Sequence, residues 1–118
     1  MKSWTAICSY DVLLPERGVA ALVDGVQIAV FRLVDGGVVA IGNHDPVSRT
    51  NVMSRGLVGT SGAVTYVASP MFKQRYDVAS GRCLDDAAMS VTVYSARAGN
   101  GVVEVLAVDQ ASDRALAS

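Results

Sequence analysis

The sequence predicts an all-β fold, a sandwich or barrel of short antiparallel strands, and three observations predict it. Apolar, β-branched runs recur at short and regular spacing. Glycine-bearing turns punctuate them. No stretch shows the period of a long amphipathic helix. The length of 118 residues is that of one compact domain, and a 51% hydrophobic content is enough to build a core.

The elements follow in order. Residues 19–23 and 26–33 flank Asp24-Gly25, a pair suited to a two-residue hairpin turn. Asp35-Gly36-Gly37 then separates the second run from a third over 38–41. Residues 63–68 form another β-branched and aromatic run. Residues 73–78 alternate polar and apolar and close at Ser80-Gly81. Residues 91–97 and 102–108 make a last hairpin across Gly99-Asn100-Gly101. The stretch 42–62 carries Asn, Asp, Pro, Ser, Arg and Gly, and reads as one long ordered loop. No internal repeat or low-complexity segment is evident. The expected layout is a single domain over 1–108 and a C-terminal tail over 109–118, either frayed or a short surface helix.

Composition excludes several functions. A net charge of -1 does not suit nucleic acid or an anionic membrane surface. The N-terminal stretch lacks an apolar run long enough for a signal peptide or membrane span, which predicts a cytoplasmic chain. Cys8 and Cys83 lie far apart, and in such a compartment both are expected as free thiols.

The chain offers no catalytic constellation. Its single histidine, His44, has no nucleophile placed beside it and reads as a solvated loop residue. One His and two isolated Cys cannot complete a zinc site. Asp85-Asp86 read as turn or loop carboxylates. No phosphate-binding glycine motif occurs. Arg49, Arg55, Lys73 and Arg75 are candidates for docking acidic groups of a partner, with Lys73 and Arg75 expected on one strand face. The alternative is an ordinary solvated face.

The order of elements resembles a Rieske domain from Trp4 to about residue 108. In that family a strand ends in a Cys-x-His loop, and a later Cys-x-x-His loop precedes an aromatic-Asp strand and a Gly turn. Here the first loop looks like Asn43-His44-Asp45 and the second like Ser69-Pro70-Met71-Phe72, followed by Tyr76-Asp77 and Ser80-Gly81. The degenerate ligand positions are therefore Asn43, Asp45, Ser69 and Phe72. None is Cys or His, so the resemblance implies a Rieske-like fold with no cluster, metal or other cofactor of its own.

One branch looks similar beyond the fold, the small subunits of assimilatory NAD(P)H-dependent nitrite reductase. The matching phrases are Asn43 with Asp45-Pro46, Val52-Met53-Ser54-Arg55-Gly56-Leu57-Val58-Gly59, Ser69-Pro70-Met71-Phe72-Lys73 and Gly81-Arg82-Cys83-Leu84-Asp85-Asp86. The resemblance implies an accessory, non-catalytic subunit. Its partner would be a large subunit that carries FAD, a [4Fe-4S] cluster and siroheme and reduces nitrite to ammonium. The alternative is a stand-alone binding module of the same fold. Under the first reading, Phe72 would fill the space left by the cluster, and its truncation would cost about 3–5 kcal/mol if the ring were buried. Asn43, Asp45 and Ser69 would hydrogen-bond across the gap, and Pro46 and Pro70 would stiffen the loops.

Overall fold

The computed structural model describes residues 4–109, with the burial of side chains given for residues 4–106. Of the expected tail over 109–118, Asp109 ends a strand and residues 110–118 lie outside the described residues. Among the described residues eleven strands occur in chain order: β1 Trp4–Ser9, β2 Gly18–Val23, β3 Val26–Arg32, β4 Val38–Gly42, β5 His44–Asp45, β6 Thr50–Asn51, β7 Leu57–Ser61, β8 Val64–Ala68, β9 Arg75–Asp77, β10 Val93–Gly99 and β11 Val102–Asp109. Six of them form one antiparallel sheet in the order β1-β11-β10-β4-β3-β2. A three-stranded sheet, β7-β8-β9, and the small β5-β6 pair complete the architecture. The all-β expectation holds. Among the described residues no helix is long and apolar enough to cross a membrane.

Strand β3 contributes to two buried clusters, one from each of its faces. Its residues Ile28, Ala29, Val30 and Phe31 are all fully buried. Alternate side chains point to opposite faces of a strand. Ile28 and Val30 join Leu13, Val23, Ala40, Val103 and Val105 in a cluster within the large sheet. Ala29 and Phe31 join Ile41, Met53, Val67 and Tyr76 between the sheets. A continuous apolar run is what a strand buried on both faces requires.

The two hairpin turns have the geometry their residues suit. Asp24 and Gly25 sit at φ 50 and 80, and Asn100 and Gly101 at φ 55 and 77. Two successive left-handed residues make the turn whose twist matches the flanking strands. The second turn is one residue tighter than the sequence suggested, because Gly99 already pairs with Val102.

Three expectations are corrected. The stretch 42–62 is no single loop: it holds β5, β6, a 3₁₀ turn at Met53–Arg55 and all of β7. Strand β7 pairs with β8 from Leu57↔Ala68 to Ser61↔Val64 across the Gly62 turn. Its exposed and half-buried residues gave it no apolar run to read. Strand β1, for which the sequence gives no expectation, pairs with β11. Lys73 lies before β9 rather than in it, at φ 63, so it does not share a strand face with Arg75. Cys8 and Cys83 are free thiols, as expected.

Candidate functional site

Two five-residue loops meet at one end of the molecule, and they are built alike. The first is Asp45-Pro46-Val47-Ser48-Arg49, closed by the Arg49 amide donating to the Asp45 carbonyl at 2.7 Å. The second is Ser69-Pro70-Met71-Phe72-Lys73, closed by the Lys73 amide donating to the Ser69 carbonyl at 3.0 Å. In each, the side chain of the first residue accepts from the backbone of the third: Val47 N–H to Asp45 Oδ1 at 2.9 Å, and Met71 N–H to Ser69 Oγ at 3.2 Å. In each, the fifth residue is basic and left-handed, Arg49 at φ 60 and Lys73 at φ 63. This likeness between the two loops is not evident as a sequence repeat. Pro at the second place, an apolar residue at the third and a cation at the fifth were its signal.

The loops are joined at their first residues. Ser69 Oγ donates to Asp45 Oδ2 at 2.5 Å, and Gln74 Nε2 donates to Asp45 Oδ1 at 2.8 Å. Gln74 Nε2 also reaches Tyr76 Oη at 3.1 Å. Gln74 Oε1 is buried without a hydrogen-bond partner. The reverse orientation of that amide would set its oxygen against the carboxylate. Burial alone would raise the Asp45 pKa, but donors from Ser69, Val47 and Ser48 outweigh it and hold the carboxyl below its ordinary value. The result is an ionised, buried carboxylate stabilised by hydrogen bonds rather than by a cation.

Asn43 secures the approach to the first loop. Its Oδ1 accepts from the Ser54 amide at 2.8 Å, and its Nδ2 donates to the Asn51 carbonyl at 3.3 Å. Its own carbonyl accepts from the Met53 amide at 3.0 Å. The adjacent Ser-Arg-Gly phrase has a steric reason. A Cβ at Gly56 would lie 2.4 Å from the Ala68 carbonyl oxygen, so the 3₁₀ turn can pack on β8 only through glycine.

Asn43, Asp45 and Ser69 are the buried polar side chains of the described residues. They stand at three of the four positions that the Rieske resemblance assigns to degenerate ligands. The fourth contradicts expectation: Phe72 is 62% exposed and does not fill the space between the loops. Hydrogen bonds from Ser69 and Gln74 to Asp45 join the two loops instead. Met71 and Val47 are also exposed, so both loop tips present apolar side chains to solvent.

The four candidate cations separate. Arg75 is held within the chain by Asp85, which takes its backbone amide at 2.8 Å and its guanidinium at 2.7 and 3.2 Å. That pairing raises the Arg75 pKa and lowers that of Asp85. Arg55 sits in the 3₁₀ turn outside both loops. Arg49 and Lys73 are exposed and have no carboxylate within ion-pair distance among the described residues. His44 is exposed in the β5-β6 pair.

A loop on the β5-β6 pair joined to a loop on the β7-β8-β9 sheet, beside a six-stranded sheet, defines a Rieske-type domain. Residues 3–106 match the family model of the Rieske-like [2Fe-2S] domain. The residues present do not fit that cluster. An amide, a carboxylate, a hydroxyl and a phenyl ring stand where two thiolates and two imidazoles would be needed. Among the described residues no group of three or more His, Cys, Asp or Glu is arranged to hold a metal.

The nitrite reductase (NADH) small subunit of Escherichia coli (strain K12) is 42% identical over 106 residues, covering 89% of this chain and 98% of that protein. A Mycobacterium tuberculosis crystal structure, provisionally described as an NADH-dependent nitrite reductase small subunit, superposes with a TM-score of 0.88. It is 49% identical and covers 92% of this chain and 97% of that one. A Klebsiella oxytoca nitrite reductase [NAD(P)H] large subunit is 38% identical over 104 residues, which are 88% of this chain but 11% of that protein. The chain belongs to the family of Rieske-like small subunits of NADH-dependent nitrite reductase.

Proposed function

We propose that the chain is an accessory, non-catalytic subunit of a cytoplasmic NAD(P)H-dependent nitrite reductase, and that its twin-loop end docks on the large subunit. The observation that carries this reading is the site itself. Where a Rieske domain holds its cluster, this chain has a buried hydrogen-bonded clasp beneath exposed apolar tips. Such a site has no redox group to offer. It has a shaped surface.

The Klebsiella relative supports a physical partnership. There, a segment similar to this chain is part of a protein named as the large subunit. Redox chemistry then belongs to the large subunit, with its FAD, [4Fe-4S] cluster and siroheme. This chain carries no cofactor in this reading. It orders the contact and leaves electron transfer to its partner.

The test is co-purification of the tagged chain from its native host, with a visible spectrum of each component. A coloured, siroheme-bearing large chain should come down with a colourless small one. A small chain isolated alone would sink the reading.

A further inference from the structure

We infer that Arg49 and Lys73 act as a matched pair of cationic prongs that select a large-subunit surface carrying an apolar pocket between two carboxylates. This deepens the docking reading and rests on it. Three observations converge.

First, the two residues hold equivalent places. Each closes a Pro-containing five-residue loop, and each follows an exposed apolar residue by two positions: Val47 before Arg49, and Met71 before Lys73. The Ser69–Asp45 hydrogen bond joins the loops at their bases. Two exposed apolar residues and two exposed cations are thereby carried on adjoining loops.

Second, both cations are left-handed, at φ 60 and 63. A long L side chain is disfavoured there and glycine or asparagine is suited. Folding alone gives no reason for a cation at the end of each loop. Strain kept twice, in two equivalent places, points to a use for the side chain.

Third, neither cation has an ion pair among the described residues. Arg75, close by in sequence, already has Asp85, and Arg97 has Glu104. Arg49 and Lys73 have no carboxylate among the described residues. Charge complementarity across the interface thus calls for acidic groups on the partner, one opposite each prong. An exposed Phe72 beside Met71 adds an apolar anchor for a pocket between them.

The experiment compares the whole chain with Arg49→Gly, Lys73→Gly and the double variant. Two readouts are taken: the thermal melt of the free chain, and its affinity for the purified large subunit at low and physiological salt. Glycine suits the backbone at both places, so the free variants should melt no lower than the natural chain. Each single variant should bind several-fold more weakly, and the double variant on the order of tenfold or more, with a flatter salt dependence. Arg17→Ser removes an equal charge from outside both loops and should leave affinity unchanged.

Natural affinity and salt dependence in the double variant would overturn the inference while leaving docking intact. An equal loss from Arg17→Ser would overturn it too, by reducing the effect to net charge. Failure of the natural chain to bind the large subunit would remove the docking reading, and this inference with it.

Discussion

At the scale of single residues, Asp45 carries the most. Its carboxylate takes hydrogen bonds from Ser69, Gln74 and two backbone amides within a fully buried setting. Ser69→Ala should destabilise the chain by about 1–3 kcal/mol, because a hydrogen bond to a buried charge is lost. Urea unfolding measures this. The pH dependence has a definite sign. The folded pKa of Asp45 lies below its ordinary value. Its stabilisation is therefore fully present above the unfolded-state pKa of about 3.9, and is lost as pH falls through the lower folded value. Melts below about pH 4 should show a steep loss in the natural chain and a shallower one in Asp45→Asn. Phe72 provides the contrast. The buried-ring expectation gave a cost of about 3–5 kcal/mol for truncation. With the ring exposed, Phe72→Ala should change stability by about 0.5 kcal/mol or less and should act on large-subunit affinity instead. Sequence reading placed Asn43, Asp45, Ser69 and Phe72 in the site together. It did not supply Gln74, whose signal was only a polar residue one position before a strand.

At the scale of elements, turns were legible and sheet edges were not. Asp24-Gly25 and Asn100-Gly101 state their backbone conformation in their own chemistry. Strand β7 does not, because its residues Leu57 to Ser61 are exposed or half-buried and its partner β8 supplies the register. Strand β1 is likewise defined by β11, with a bulge between Ala6 and Cys8. The close packing of the Met53–Arg55 turn on β8 yields a firm expectation. Gly56→Ala must push a Cβ against a backbone carbonyl, which should lower stability by about 1–3 kcal/mol. A thermal melt matching the natural chain would show that this turn is freer than described.

At the scale of the whole molecule, the relevant trade is between a metal cross-link and a hydrogen-bonded one. The chain expressed in iron-replete cells should show no visible Rieske absorbance and bind no stoichiometric iron, because its donors are the wrong kind. A coloured, iron-bearing preparation would contradict that. What the sequence by itself determined was the strand-rich architecture, the places where the chain turns and the family. Each of these depends on local residue type. Only the tertiary structure decided that Asp45 and Ser69 meet, that Phe72 faces solvent, that Arg75 is satisfied within the chain, and that Arg49 and Lys73 stand as equivalents. Those facts depend on contacts across 24 residues for Ser69–Asp45 and 10 for Arg75–Asp85. Non-local pairing is set by how two sheets pack on one core, and no local propensity encodes it.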